Sequence, residues 1–225
     1  MKRRVVAELL DTDQGSPAEV HGSLADLRMI NRRFGGLRSA AEMLHSLASA
    51  RQLKTLSWLD VAGASGDVAA FASDSLGKRG IAVKPVLLDR AATHLNRAFP
   101  GVCGDALALP FPDNSFDVVC CSLFLHHLEP AEIVGFVNEA LRVARHAVLM
   151  NDLVRHPLHL ALTYAGYLLY RSRLTRHDAP ASVRRSYTIE EIQKILSQTS
   201  AFTIETRRFF LFRMGVTAWK RPSTT

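Results

Sequence analysis

Eight residues, Asp60-Val61-Ala62-Gly63-Ala64-Ser65-Gly66-Asp67, carry an apolar run through a turn of small residues into a helical stretch. A buried strand, a tight turn and a helix N-terminus bring backbone close to a nucleotide and aim free N–H groups at it. The glycine frame decides which nucleotide. A dinucleotide site needs G-x-G-x-x-G. Counted from Ala62, the three positions are Ala62, Ala64 and Asp67; counted from Gly63, they are Gly63, Ser65 and Val68. Neither frame suits a pyrophosphate, and Asp67 repels one. Acids at both ends of the turn, Asp60 and Asp67, instead suit a nucleoside ligand carrying cationic groups, and Asp67 is favourable at a helix N-terminus. The simpler alternative is a tight strand-to-helix turn in an unrelated α/β protein.

More acids follow in order. Asp89 closes the next apolar run, where an acid can accept from both ribose hydroxyls, although a lone strand-end Asp is often only a cap. Asp105 follows a short third run and can accept from an adenine amino group. S-adenosyl-L-methionine, with its sulfonium, ammonium and carboxylate, fits these acids better than NAD or FAD does. For the chemistry, His126 and His127 follow the fourth strand, at the carboxyl edge where open α/β sheets bind ligands. One ring could serve as a base and the other contact a substrate, or both could simply pack locally. Thr175-Arg176-His177-Asp178 is the other candidate: His177 as a base, Arg176 for a carboxylate or phosphate, against a solvated basic loop.

These residues need a frame. From Thr55 the chain alternates short apolar runs with helical stretches, the pattern of βαβ units and a parallel sheet. The runs are 56–61, 81–88, 102–103, 116–121 and 147–150, and the helices 67–78, 91–99 and 130–143. Two further strands, 202–206 and 209–219, meet at Arg207-Arg208, a join so short that the pair must be antiparallel. Before Thr55 the spacing predicts a helix over Arg3–Leu10, a second capped by Ser23, and a third over Leu37–Ala50 after a break at Gly35-Gly36. The apolar stretch Leu158–Tyr170 predicts a helix over the substrate cleft.

Composition excludes several classes. With 48% apolar and 22% charged residues the chain is neither disordered nor fibrous, and no stretch is long enough for a membrane span. The start, Met1-Lys2-Arg3-Arg4, lacks the apolar run of a secretory signal. Cys103, Cys120 and Cys121 form neither a disulfide framework nor a zinc spacing; they read as reduced thiols in or near the core, which points to the cytoplasm. No metal site is implied. The net charge of +7 is diffuse apart from Arg171–Arg185, which lacks interleaved aromatics, so nucleic acid is a secondary reading.

Taken in order, Asp60 to Gly66, Asp89, Gly104-Asp105-Ala106 and Leu109-Pro110-Phe111 through Asp117-Val118-Val119 resemble the successive motifs of class I S-adenosylmethionine-dependent methyltransferases, of the small-molecule type that includes the ubiquinone and menaquinone methyltransferases. The resemblance spans about 55–150. It implies an α/β Rossmann-like three-layer sandwich: a seven-stranded, mostly parallel sheet with an antiparallel C-terminal strand, plus N-terminal helices. Residues 1–52 would form a helical lid and 53–225 the methyltransferase domain, with a substrate-covering helical insertion at about 155–187. The turn Asp60, Ala62, Gly63, Ala64, Gly66 would lie under the methionine part of the cofactor, Asp89 and Arg90 at the ribose, and Asp105 with the Ala106 amide at the adenine. Cys121 and Ser122 would flank the amino-acid end. The implied reaction is methyl transfer to a small hydrophobic or aromatic, phenol- or quinone-like acceptor. RNA methylation, or a non-catalytic cofactor-binding relative, is the alternative. The family's first two glycines are Ala62 and Ala64 here, tolerable where the turn does not require positive φ.

Overall fold

The apolar runs fold as expected into one sheet. The computed structural model describes every residue except Asp13, Ala64, Asn96, Arg97 and 223–225. Strands β1 (Thr55–Val61), β2 (Ala82–Asp89), β3 (Gly101–Cys103), β4 (Phe116–Ser122), β5 (Ala144–Leu153), β6 (Thr203–Phe209) and β7 (Arg213–Trp219) take the order β3-β2-β1-β4-β5-β7-β6. The first five pair in parallel, and β7 is inserted antiparallel between β5 and β6.

Side chains alternate along each strand, so the sheet has two apolar faces. Leu56 and Trp58 of β1, Val118 and Cys120 of β4, and Leu149 of β5 pack beneath α2 (Gly36–Ala50) and α3 (Asp67–Gly77). Leu59, Val61, Val119, Cys121 and Met150 face α4 (Pro130–Val143) and α7 (Ile189–Leu196). Trp58 and Phe136 are fully buried, one in each layer. Truncating either to alanine would cost about 3–5 kcal/mol. Over the carboxyl ends of the strands lie α1 (Pro17–Arg33), α5 (Pro157–Ala165) and α6 (Arg173–Arg185).

Five local expectations fail, four of them for identifiable reasons. Residues 3–9 are not helical, and only a 3-10 turn forms at Leu10–Thr12. The backbone of this strap bonds elsewhere: Arg4 N–H donates to the Arg184 carbonyl (2.9 Å), and the Leu9 and Leu10 amides donate to the Asp178 carboxylate (2.8 and 3.0 Å). Ser23 does not cap a helix. Helix α1 starts earlier, where Ser16 and Glu19 form a capping box around Pro17, and Ser23 is buried mid-helix, accepting from Thr175 Oγ1. Among the described residues of 91–99 only Ala92–His94 forms a 3-10 turn, because Asp89 Oδ1 takes the Ala91 amide and the chain must return to pair with β2 at Gly101. The C-terminal hairpin turns at 210–212 rather than at Arg207-Arg208, which pair with Gly215 and Met214. Cys103 is exposed, unlike Cys120 and Cys121.

Candidate active site

The carboxyl ends of β1, β2, β4 and β5 and the start of β7 open into a cavity of about 890 Å³. One end of it is built from the small-residue turn. Ala62 has φ +56° and Gly66 φ +70°, so the turn does require the left-handed region at an alanine. That costs roughly 1–2 kcal/mol relative to a glycine free of Cβ sterics. Gly63 is needed for space, since a Cβ there would meet the Asp60 carbonyl at 3.0 Å and Leu87 at 3.1 Å. Ser65 Oγ donates to Asp67 (2.9 Å) in the first turn of α3. Ala64 lies outside the described residues.

Asp60 is 2% exposed, and among the described residues its Oδ2 has no hydrogen-bond partner. Burial, then the charge of Asp89, pushes its pKa up to about 8. An orphaned buried carboxylate at a cavity wall is a seat for a cation. The ammonium end of S-adenosylmethionine is such a group. Asp89, Arg90, Asp105, Ala106 and Ser122 line the same cavity, as do Gly104 and Leu123. Asp89 accepts from the Ala91 amide and Asp105 from the Leu107 amide, each at 2.9 Å, which fixes both carboxylates beside the ends of β2 and β3. Cys121 is off the cavity, buried in the α4-side core with its thiol pKa pushed up by burial.

At the other end stand the histidines. His126 is 2% exposed; its amide (3.1 Å) and Nδ1 (2.7 Å) both meet Asp152, at the end of β5. Glu8 Oε1 from the strap lies 3.5 Å from its Nε2. Burial opposes charge here, but Asp152 and then Glu8 overcome it and push the His126 pKa up to about 10. At neutral pH this ring is an imidazolium with both N–H groups facing carboxylates. His127 pairs with Asp11 (3.2 Å), and Arg185 reaches the His127 carbonyl (2.9 Å) and Asp11 (3.4 Å). Donor atoms of Glu8, His126 and His127 lie within 4.8 Å of one another, and the imidazolium and Arg185 supply positive charge to the cluster.

Arg176 and His177 do not line the cavity. Arg176 donates to the Tyr170 carbonyl, and the half-exposed His177 pairs with Asp178, the carboxylate that pins the strap. The neighbouring arginines are tied too: Arg173 to Glu19 and Arg184 to Tyr164. Sequence reasoning missed Glu8, Asp11, Asp152, His159 and Arg213, all at or beside this cavity. Asp152 was findable by the strand-end rule that picks out Asp89. The others had no local signal.

The remaining wall is apolar, with Leu24, Leu27 and Ile30 from α1, Leu162 from α5, and Phe212 from the hairpin. Beside Phe212, Arg213 is 2% exposed and donates from Nη2 to Asn31 (2.8 Å), while among the described residues its Nη1, against Gly36, has no hydrogen bond.

Among the described residues no helix is long and apolar enough to cross a membrane. Residues 59–149 match the family of the methyltransferase domain. No curated protein matches in sequence. Among solved structures, the plantazolicin methyltransferase BpumL, in complex with a pentazolic desmethylPZN analog and S-adenosylhomocysteine (SAH), aligns at TM-score 0.69 and 12% identity over 95% of each chain. Magnesium protoporphyrin IX methyltransferase from Synechocystis PCC 6803 with bound SAH aligns at TM-score 0.55 and 14% identity over 83% of this chain and 84% of that one. A methyltransferase from Methanosarcina mazei aligns at 0.52 and 17% identity, over 76% and 94%. The matched domain covers the turn and the acids Asp60, Asp89 and Asp105, the sheet carries the fold of these methyltransferases, and residues 59–149 form a methyltransferase domain.

Proposed function

We propose that the protein transfers the methyl group of S-adenosylmethionine to a small hydrophobic or aromatic acceptor, phenol- or quinone-like in shape. One observation carries this reading: the cavity that begins at Asp60 continues along an apolar wall formed by Leu24, Leu27, Ile30, Leu162 and Phe212. Asp60 takes the cofactor's ammonium, Asp89 and Arg90 the ribose, Asp105 and the Ala106 amide the adenine, and Ser122 the amino-acid end. The cofactor supplies a methyl carbon whose bond to sulfur breaks, its electron pair staying on sulfur, as the acceptor's electron pair bonds to the carbon.

The chain's own contribution is positioning and exclusion of water. Residues 1–52 serve as a lid together with the insertion at about 155–187. His126, already a cation between two carboxylates, serves here as the post that holds the strap, with Glu8 on one side and Asp152 on the other. His127 faces the acceptor from the same turn. His177 supports the strap through Asp178 and Arg176 holds the Tyr170 carbonyl, so neither meets the acceptor in this reading. Two structural neighbours are named for non-nucleic-acid molecules, magnesium protoporphyrin IX and a pentazolic desmethylPZN analog. Arg173, Arg176, Arg184 and Arg185 are engaged in internal contacts, which weakens the RNA reading.

The test is a turnover screen with labelled cofactor over hydroxyarenes, quinols, simple carboxylic acids and unmodified RNA. Product from the aromatic set is expected. Label transferred only to RNA, or to nothing, contradicts the assignment.

A further inference from the structure

An in-line methyl transfer to a hydroxyl needs a proton acceptor whenever the nucleophile arrives protonated. His126 cannot be that group, since its ring already holds both protons between Asp152 and Glu8. His159, in the first turn of α5, also lines the cavity. Its Nδ1 lies 3.0 Å from the Val154 carbonyl oxygen. A carbonyl only accepts, so Nδ1 carries the hydrogen and the lone pair is on Nε2. Among the described residues Nε2 has no hydrogen-bond partner. The ring is clamped as well. It stacks on Phe212 at 5.2 Å and 14°, and His156 stacks on the same phenyl ring at 4.9 Å and 19°. The hairpin reaches this clamp through two consecutive left-handed residues, Leu211 (φ +52°) and Phe212 (φ +59°), neither of them glycine. Non-glycine residues in that region cost roughly 1–2 kcal/mol each, a strain of the kind found where a side chain must be aimed.

We propose that His159 is the catalytic base of this methyltransferase, taking the proton of an aromatic or enolic hydroxyl on Nε2 while Val154 fixes the tautomer. The inference rests on the acceptor reading above and narrows it to O-methylation of a neutral hydroxyl. The O–H bond breaks, its proton forms the second N–H of the imidazole, and the freed oxygen pair is the nucleophile. The imidazolium then returns the proton to solvent. The groups facing the ring suit a base that starts neutral. Burial lowers its pKa, the Val154 bond partly opposes this, and the charges of Arg213 on β7 and His156 on its own element lower it further.

Two readouts test this. In the first, nitrogen NMR of the full-length protein, with His159 assigned by loss of its signals in His159→Asn, reads the tautomer. A neutral ring at pH 7 with hydrogen on Nδ1 is expected. A ring charged at that pH, or carrying its hydrogen on Nε2, overturns it. The second compares turnover of wild type and His159→Asn on a panel of simple phenols and naphthols. Asparagine keeps a donor for Val154 but has no basic nitrogen. A loss of about 100-fold or more on neutral phenols is expected, shrinking to a few-fold on a nitrophenol already ionised at about pH 8. The rising limb of the kcat/KM profile should vanish in the variant. A variant within threefold of wild type on neutral phenols overturns the proposal, as does wild-type turnover confined to carboxylic acids, or no panel product while SAH binds. Failure to bind SAH strikes the methyltransferase reading itself.

Discussion

Asp152 holds His126 twice, its two carboxylate oxygens accepting from the backbone amide at 3.1 Å and from ring Nδ1 at 2.7 Å. The pair is fully buried, so its proton inventory contributes to folding. His126 has a folded pKa of about 10 against 6.5 for the free side chain. A raised histidine pKa stabilises most below the unfolded value, and that stability fades as pH climbs through the folded value. Denaturant unfolding should therefore show wild type losing stability between about pH 6.5 and 10, with a flatter profile in His126→Gln. Asp152→Ala leaves a buried imidazolium with one carboxylate fewer and should cost about 3–5 kcal/mol at pH 7. Parallel profiles for wild type and His126→Gln would contradict the charged assignment.

The cofactor turn carries strain at Ala62, whose φ is +56°. Ala62→Gly relieves the Cβ contact while adding unfolded-state entropy, so a net stabilisation of about 0.5–1 kcal/mol is expected. Urea midpoints measure it, and the SAH dissociation constant should stay equal or tighten. Gly63→Ala should do the opposite, because its Cβ would press on Asp60 and Leu87.

Asp178 ties down the strap through the Leu9 and Leu10 amides. Asp178→Ala leaves those donors unpaired and should cost about 1–3 kcal/mol. It should also loosen the lid, raising the acceptor KM more than it lowers kcat. Equal losses in kcat and kcat/KM, with an unchanged KM, would place Asp178 in the chemistry instead.

The layers of the fold were legible because they follow local rules. Continuous apolar runs such as Val86–Leu88 and Val118–Cys121 mark the buried parts of the strands, and the Pro130–Val143 helix shows its period plainly. The acids Asp60, Asp89 and Asp105 were legible because each sits at a strand end. What was not legible depends on partners distant in sequence. The strap reads as a helix from its own residues, yet its amides are claimed by Asp178 and the Arg184 carbonyl. His159 and Arg213 look ordinary until β5, α5 and the hairpin meet. The hairpin turn at Leu211-Phe212 contains no glycine, aspartate or asparagine to announce it.

Asp60 offers the most direct measurement. Its carboxyl, with a folded pKa of about 8, is largely protonated in the free protein at pH 7 and should ionise when a cofactor ammonium arrives. Because the raised pKa means the folded state holds a proton the unfolded state has released, wild-type stability should fall as pH rises from about 4 to 8, and Asp60→Asn should remove that cost. Calorimetric titration of SAH at pH 7, repeated in buffers of different ionisation enthalpy, reads binding and proton release together. The account expects micromolar-range binding with close to one proton released, and both much weakened in Asp60→Asn. No heat at millimolar SAH, or binding that is unchanged in Asp60→Asn and releases no proton, would contradict it.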